Sequence, residues 1–483
     1  MAVSVLVIDV GTSGLRASIV HVDGSIDNYA YEPFVPNSPF PGLVEFDAAA
    51  MGEAVLRVAH ASLASGGPVD GVGITNQRAS TIMWDTETGK PFGPALGWQD
   101  LRTVMECITA RAEHGLLLAP NQTATKASWM MKNYSTADRA RIRFGTVDSW
   151  IAHVLSHGEL HVTDFSNAAV TGLLTSTTNE WSPQALELMG LDQTMLPTVV
   201  HSSEVIGHAS ALPGSPPIAS LIGDQQASLI GQGCISPGQT KITFGTGGML
   251  DVFVGNKAPT AAQRAPHGTY PIVAYSDKDG VSWGAEAIML SAGTNIEWLR
   301  DDLQIIDTAA QSDEIASKVE TSDGVVYVPA LFGLGTPHWD YGARGSLFGI
   351  TRGTTRAHVV RAVLEGIAHR GADLVEAAKS DTGLSIGSLR IDGGMSRNTT
   401  FVQALANTTM LPVEVSQVAE ATTLGAAFLA GVAVGTWKDL PEATSTWKAA
   451  SVVSPTTGLD RGQWGDAVAR SKGWIPALSS LDF

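Results

Sequence analysis

Two short segments of this 483-residue chain share one layout, and that layout limits the folds the chain can adopt. In each segment an apolar strand runs into a Gly-Thr turn and is followed directly by a second strand. The first segment covers residues 3–22 with its turn at Gly11-Thr12-Ser13-Gly14, and the second covers residues 240–254 with its turn at Gly245-Thr246-Gly247-Gly248. The layout indicates two related halves, unless it is a chance likeness between two common hairpin turns.

Helical and strand patterns alternate on both sides of the second segment, as in the predicted helices 357–378 and 399–408, and this alternation favours an α/β fold. The strongest cluster of chain breakers, Leu212-Pro213-Gly214-Ser215-Pro216-Pro217, lies shortly before the second segment and indicates a domain boundary. We therefore predict two domains, 1–235 and 236–483. The apolar stretch 421–437 is shorter than a membrane span, so we interpret it as a buried helix.

The charge balance and the cysteines restrict the partners. Lys and Arg number 30 against 47 Asp and Glu, a net charge of −17, which does not suit the anionic backbones of nucleic acids or anionic membranes. Cys107 and Cys234 lie far apart and suggest neither a zinc cage nor a disulfide framework. Together with a start that lacks a signal-peptide pattern, they favour the cytoplasm. We expect small molecules as partners and leave a homo-oligomer open.

We expect the two Gly-Thr turns to bind any phosphate, because the sequence contains no P-loop pattern. Backbone N–H groups and hydroxyls in such turns can hold phosphate oxygens without a net positive charge. Asp9 and Asp224 each follow an apolar strand, where α/β folds place ligands. One could bind Mg²⁺ and the other could accept a proton from an attacking hydroxyl. A turn former at Asp9 and a helix N-cap at Asp224 are the alternatives.

Two further segments suit ligand binding. Asp392-Gly393-Gly394-Met395-Ser396-Arg397-Asn398 separates a strand from a helix and could lie against a base or ribose, although an ordinary loop would use the same residues. Gln77-Arg78, Trp84 and Trp98 are predicted in loops after short strands. An Arg beside a Trp can hold a polyhydroxy ligand, while core packing is the commoner role of tryptophan.

Taken in order, these segments resemble the FGGY family of carbohydrate kinases, and within it the glycerol kinases. The resemblance covers residues 3 to about 437. The matching pieces are Asp9-Val10-Gly11-Thr12-Ser13, Gly73-Ile74-Thr75-Asn76-Gln77-Arg78, Trp98-Gln99-Asp100-Leu101-Arg102, Gly145-Thr146-Val147-Asp148-Ser149-Trp150, Gly223-Asp224-Gln225-Gln226, Gly245-Thr246-Gly247, Gly333-Leu334-Gly335-Thr336-Pro337-His338-Trp339-Asp340, Gly345-Ser346-Leu347-Phe348-Gly349-Ile350 and the segment 358–365.

The resemblance implies two ribonuclease H-like (actin-like ATPase) domains with an interdomain cleft, the acceptor mainly on the first domain and ATP mainly on the second. It implies ATP- and Mg²⁺-dependent phosphorylation of a hydroxyl group on a small polyol or sugar. Asp224 would be the general base, and Asp9 and Asp224 the metal ligands. The positions that match the family's phosphate- and nucleoside-binding residues are Thr12, Ser13, Arg16, Gly245, Thr246, Gly293, Gly394 and Asn398.

The acceptor pocket keeps part of the glycerol kinase pattern. The positions that match its glycerol-binding residues are Arg78, Trp98, Asp224 and Gln225. Three others differ, because the family's Glu is Ala79, its Tyr is Asn121 and its aromatic after the Gly-Thr-Gly turn is Met249. A pocket that loses hydrogen-bond partners loses discrimination for its old ligand.

We therefore predict an acceptor longer than glycerol, a tetritol or pentitol, with Asn121 as a new hydroxyl partner. Two alternatives remain. One is a glycerol kinase with a re-formed pocket that makes glycerol 3-phosphate, and the other is a non-kinase actin-like ATPase that uses ATP as a switch.

Overall fold

The computed structural model describes residues 4–134, 138–175, 179–260, 263–417 and 420–481, so Val3 of the predicted first strand lies outside the described residues. The strands of the first half are β1 (Ser4–Val10), β2 (Gly14–His21), β3 (Ile26–Pro33), β4 (Glu45–Phe46), β5 (Gly71–Asn76), β6 (Ile82–Asp85), β7 (Ala95–Leu96), β8 (Ile142–Gly145), β9 (Val162–Asp164), β10 (Thr198–Val200), β11 (Ser203–His208) and β12 (Pro217–Gly223). Its helices are α1 (Ala48–Gly66), α2 (Val104–His114), α3 (Thr123–Asn133), α4 (Val147–Leu155), α5 (Phe165–Ala169), α6 (Pro183–Met189) and α7 (Asp224–Gly231).

The second half continues this alternation of strands and helices. Its strands are β13 (Thr240–Phe244), β14 (Gly248–Gly255), β15 (Tyr270–Asp277), β16 (Gly280–Met289), β17 (Val326–Val328), β18 (Ser346–Phe348), β19 (Leu389–Asp392), β20 (Val413–Ser416) and β21 (Ala449–Val453). Its helices are α8 (Thr294–Glu297), α9 (Gln311–Ala316), α10 (Arg356–Thr382), α11 (Thr399–Thr409), α12 (Ala421–Val434), α13 (Leu440–Thr444), α14 (Arg461–Ser471) and α15 (Pro476–Ser479).

The two halves repeat one sheet. In the first, the strand order is β3-β2-β1-β5-β12 with β11 at the edge, and in the second it is β16-β14-β13-β19-β20 with β15 and β21 at the edges. In both, the central strand pairs antiparallel with the strand after the Gly-Thr turn and parallel with the strand on its other side. The predicted α/β class is confirmed. The boundary between residues 235 and 236 stays a prediction.

The first strand is buried along its whole length because helices cover both faces of its sheet. Leu6, Ile8 and Val10 pack in one apolar cluster with α1, and Val5 and Val7 pack in another with α12. Burial on both faces explains why β1 is a continuous apolar run rather than an alternating one. The run ends at the Gly-Thr turn, and this places Asp9 near the edge of the core.

Helices α7 and α12 link the halves. Helix α7 follows the last parallel strand of the first sheet and packs against β14 and β15 of the second sheet as well as against β5 and β12 of its own. Helix α12 follows the last parallel strand of the second sheet but packs against β1, β5 and β12 of the first. The two helices cross backbone to backbone, because a Cβ on Gly425 would overlap the carbonyl oxygen of Ala227 and one on Gly231 would overlap that of Ala421. The predicted buried helix within 421–437 is therefore confirmed as part of the seam between the halves.

No helix within the described ranges combines the length and the apolar composition that crossing a membrane requires. Both cysteines are buried and free.

The contact between α10 and α14 should weaken in acid. The His369 ring stacks on Trp464 with centroids 4.9 Å apart, and its Nδ1 lies 3.2 Å from Arg461 Nη1. A guanidinium can only donate, so Nδ1 accepts and the ring is neutral. Burial and the charge of Arg461 lower the pKa of His369 to about 4, although Asp373 acts in the opposite direction.

Because the unfolded chain takes up this proton near pH 6.5, the contribution of His369 to stability is present at pH 7 and above and is lost as the pH falls toward 4. We expect His369→Gln to reduce the loss of unfolding free energy between pH 7.5 and pH 5.5 by about 1 kcal/mol. Denaturant unfolding of both proteins at the two pH values measures this, and equal acid losses would contradict it.

Candidate active site

Asp9 and Arg16 stand opposite each other where β1 and β2 meet the first Gly-Thr turn. The Asp9 carboxylate is buried, and Arg16 Nε lies 3.5 Å from its Oδ2. Arg16 also donates to Glu420, which precedes α12. Burial raises the pKa of Asp9 to about 7; Arg16 lowers it, while Asp224 and Glu420 raise it further. Asp224 is therefore close enough for its charge to act on Asp9.

Asp224 is the first residue of α7, and its carboxylate faces Arg78 from the first half and, beyond it, Glu286 from the second. Arg78 Nε lies 3.6 Å from Asp224 Oδ1, and Nη2 donates to Glu286 Oε2 at 2.7 Å. Burial raises the pKa of Asp224, and Arg78 acts against this. Arg78 Nη1 is buried and has no hydrogen-bond partner in the described part of the chain. It is a donor that a ligand hydroxyl could satisfy.

Helix α5 fixes the position of these two groups. Ser166 Oγ accepts from the N–H of Gly223, the residue before Asp224, at 2.9 Å. Asn167 and Asn76 exchange two amide hydrogen bonds of 2.9 and 3.2 Å and so hold the segment that leads to Arg78. Both asparagine side chains are fully buried. Asn76 belongs to a segment that was recognised from the sequence, whereas Ser166 and Asn167 were not predicted, because their roles depend on contacts between elements that are distant in the chain.

Residues that follow β5 and β7 also support the first Gly-Thr turn. Trp98 Nε1 donates to Thr12 Oγ1 at 3.1 Å, and Gln77 Nε2 donates to the Gly11 carbonyl at 3.2 Å. Ser80 connects the two, since its Oγ donates to Gln77 Oε1 and accepts from the Trp98 N–H. The Thr12 oxygen accepts from Trp98, so its own hydrogen stays available to donate to a phosphate oxygen. Ser13, the next residue, is exposed.

Two of the three altered pocket positions, Ala79 and Asn121, lie side by side. Lys126, which is fully buried, donates from Nζ to the Asn121 carbonyl at 2.9 Å and to the Ala79 carbonyl at 3.4 Å. Ala79 is buried and has a φ of 61°, a left-handed conformation that is uncommon for a residue other than glycine. Such strained backbone is concentrated at functional sites. The Asn121 side chain is exposed.

The second Gly-Thr turn gathers the predicted nucleotide-binding residues. The Gly293 N–H donates to the Gly245 carbonyl at 2.8 Å, and the Ala292 N–H donates to the Thr246 carbonyl at the same distance. A Cβ on Gly293 would lie 2.6 Å from that Gly245 oxygen, so only glycine fits there without a shift. Gly245 and Thr246 themselves are exposed, and this leaves them open to a ligand.

The third glycine segment lies beside this turn. Gly393 has a φ of 85° and packs against the backbone of Phe244, and the next residue, Gly394, faces open space. Asn398 has two structural contacts: its Oδ1 caps α11 through the Phe401 N–H at 2.8 Å, and its Nδ2 donates to Ser312 Oγ at 3.0 Å. The structure thus places Gly394 openly beside the turn and gives Asn398 a capping role.

Two other residues named in the sequence analysis, Trp84 and Met249, lie in strands. Trp84 lies in β6 rather than in a loop, is 1% exposed and packs on Trp150, so the prediction of a loop was wrong and its role is in the core. Strand β6 contains only four residues, Ile82–Asp85, and is too short to recognise from the pattern. Met249 is half-buried on β14, opposite Thr243 of β13.

The donors fit a magnesium ion that is shared with phosphates. In the described residues, no three His, Cys, Asp or Glu side chains form a cluster that could hold a metal by themselves. Mg²⁺ commonly takes one or two protein carboxylates and fills its other positions with water and substrate phosphates. Asp9 and Asp224 are two carboxylates of this kind, and each lies beside an arginine, Arg16 at 3.5 Å and Arg78 at 3.6 Å.

Similarity to known proteins extends over nearly the whole chain. Models of the FGGY family of carbohydrate kinases match residues 4–231 (N-terminal domain) and 240–434 (C-terminal domain). Glycerol kinase from Trichlorobacter lovleyi is 39% identical over 97% of this chain and 99% of its own length. Glycerol kinase from Plasmodium falciparum, solved with ADP, superposes with a TM-score of 0.91 at 28% identity, covering 97% of this chain and 98% of that one. A xylulose kinase from Brucella ovis gives 0.83 at 26% identity, with 99% of each chain covered.

Proposed function

We propose that this chain, which belongs to the FGGY family of carbohydrate kinases and is an ATP-dependent phosphotransferase with an alcohol group as acceptor, phosphorylates a tetritol or pentitol rather than glycerol. Membership in the family excludes the alternative of a non-kinase actin-like ATPase. The proposal assigns acceptor binding to residues 1–235 and ATP binding to residues 236–483.

The observation that carries the proposal is the unpartnered Nη1 of Arg78 beside Ala79. Where the glycerol kinases have a Glu after this Arg, the present chain has a methyl group on a buried, left-handed residue. A longer polyol brings an additional hydroxyl that can satisfy the Arg78 donor. Lys126 holds the backbone of Asn121 next to that of Ala79, and in this proposal the exposed Asn121 side chain binds the same end of the acceptor.

In this proposal the reacting hydroxyl lies against Asp224, whose carboxylate accepts its proton as the oxygen attacks the γ-phosphorus of ATP and ADP leaves. Arg78 and Gln225 donate to other hydroxyls, and Trp98 and Met249 supply apolar walls. Phosphoryl transfer depends chiefly on alignment and on neutralisation of charge. Thr12, Ser13 and Arg16 from the first half hold the phosphates with Gly245 and Thr246 from the second.

On the nucleoside side the proposal assigns Gly293, Gly394 and Asn398. Asp9 and Asp224 would hold Mg²⁺, which when bound neutralises charge on the phosphate oxygens. Closure of the two halves about the α7–α12 seam would exclude water from the aligned groups.

The acceptor is tested by measuring ADP formation against glycerol, tetritols, pentitols and ketoses. We expect kcat/KM for the best tetritol or pentitol to exceed that for glycerol by about tenfold or more, since each unmatched polar group in a pocket costs at least that much discrimination. Glycerol as the best acceptor would contradict the proposal.

The same panel should respond to a double variant, Ala79→Glu with Asn121→Tyr, which restores two of the missing partners. We expect its preference to shift toward glycerol, whereas a matched change at an exposed site, Asn256→Tyr, just past the end of β14 that lies away from the second Gly-Thr turn, should leave the preference unchanged. The second candidate acceptor is glycerol itself. It is favoured by the similarity to the glycerol kinase of Trichlorobacter lovleyi and would be supported by an unchanged preference in the double variant.

A further inference from the structure

A row of charged side chains crosses the second sheet beneath the acceptor site. Their strand partners lie directly opposite one another from β20 to β16, and the last of them is paired with an arginine of the first half. In order, the row contains Glu414, Arg390, Lys241, Asp251, Glu286 and Arg78. Three contacts of opposite charge hold it together, at 3.2, 2.7 and 2.7 Å.

The centre of the row is the pair Lys241 and Asp251, and both side chains are fully buried. Charges removed from water cost several kcal/mol each, and an ion pair recovers this only when further hydrogen bonds satisfy it. An apolar pair would have served packing in this strand at least as well. Retention of the two charges therefore indicates a task other than stability.

The contact between Lys241 and Gln225 indicates what that task is. Lys241 Nζ lies 2.8 Å from Gln225 Oε1 and 3.1 Å from Thr243 Oγ1, as well as 2.7 Å from Asp251 Oδ2. An ammonium group can only donate hydrogen bonds, so the Gln225 atom that faces it must be the carbonyl oxygen. The NH₂ group of the same carboxamide then faces away from Lys241, and no described residue accepts its hydrogens, so both remain as donors.

We propose that Lys241 is a positioning residue that selects the acceptor by fixing the carboxamide of Gln225, so that its NH₂ group donates to an oxygen lone pair of the acceptor. This inference rests on the proposed function, in which Gln225 contacts the acceptor. Asp251 keeps the buried lysine neutralised, and Glu286 does the same for Arg78 at the end of the row. The acceptor class is thereby narrowed to compounds with a hydrogen-bond-accepting hydroxyl or carbonyl oxygen at this position.

The test is a double-mutant cycle in the full chain. Replacement of Lys241 alone would leave Asp251 buried without a partner, so both are replaced in the variant Lys241→Met/Asp251→Leu. We expect its KM for the acceptor to rise about tenfold, the size of one lost hydrogen bond, with kcat reduced less and the KM for ATP unchanged. In a Gln225→Met background, where no carboxamide remains to be positioned, the same pair of changes should leave the acceptor KM unaltered.

The matched control is Arg390→Met/Glu414→Leu, which removes the ion pair at the other end of the row. Arg390 contacts the Gln232 carbonyl after α7 rather than Gln225, so the acceptor KM should stay within about twofold of the unmodified protein. Thermal unfolding of every variant shows whether a change in the KM for the acceptor accompanies a loss of stability.

The outcomes are distinguishable. A rise in KM that disappears in the Gln225→Met background supports the inference. An unchanged KM, or an equal rise in both backgrounds, overturns it and leaves the proposed function intact. If the unmodified protein phosphorylates no polyol or ketose, the proposed function fails and the inference falls with it.

Discussion

Replacement of Asp224 by Asn is expected to slow phosphoryl transfer to the acceptor by about 10³-fold or more, while ATP still binds. General-base catalysis contributes up to about 10⁴-fold, and an amide cannot accept the proton of the attacking hydroxyl. The substitution keeps the shape of the side chain and the oxygen that accepts from the Gln225 N–H at 2.8 Å, so the start of α7 should be preserved.

Turnover is measured as ADP formation with the best acceptor of the panel, and ATP binding by equilibrium titration. Asp47→Asn is the matched control, because Asp47 also stands at a helix start, capping α1 through the Ala50 N–H at 3.1 Å, and has no role in the proposed site. Its turnover should equal that of the unmodified protein. Retained phosphorylation in Asp224→Asn would remove Asp224 from the role of base.

Replacement of Gly425 by Ala is expected to lower the free energy of unfolding by about 3 kcal/mol or more. The added methyl group would overlap the backbone of Ala227, which is itself held in α7, so neither helix can yield without parting from its sheet. Since α7 begins at Asp224, any shift that relieves the overlap also displaces the carboxylate that we propose as the general base. We therefore expect activity to fall together with stability.

The control is Gly465→Ala in α14, where a Cβ meets no atom within 4 Å. Alanine is the better helix former by about 1 kcal/mol, so this variant should be slightly more stable than the unmodified protein. Denaturant unfolding measures both. A Gly425→Ala protein of unchanged stability would mean that the two helices can separate at little cost.

The sequence was most informative where structure is local. Residues 240–244 were predicted as a strand and form β13 with the same bounds, and the predicted helix 399–408 is α11 with one residue more. The Gly-Thr turns could be recognised because turn chemistry depends on adjacent residues. The same locality explains why Asp9 and Asp224 could be placed at strand ends before the sheets were known.

Contacts across the sheets could not be read in this way. Lys241 and Asp251 stand in apolar strands on either side of the second Gly-Thr turn, and a charge in such a strand was a signal that could have marked them. Their meeting with Gln225 depends on strand register and on the crossing of α7 to the second sheet. Nothing in the residues around Gln225 determines that crossing, because it follows from packing of the entire seam.

The exchange of helices between the two halves has a consequence for recombination with relatives. A hybrid joined between residues 235 and 236 would set α7 of one parent against α12 of the other. Helices that touch through bare glycine backbone tolerate almost no difference at the crossing, so such a hybrid inherits two surfaces that were never selected together. The unit that must come from a single parent is therefore not either half. It is the pair of helices α7 and α12 together with the sheets against which they pack.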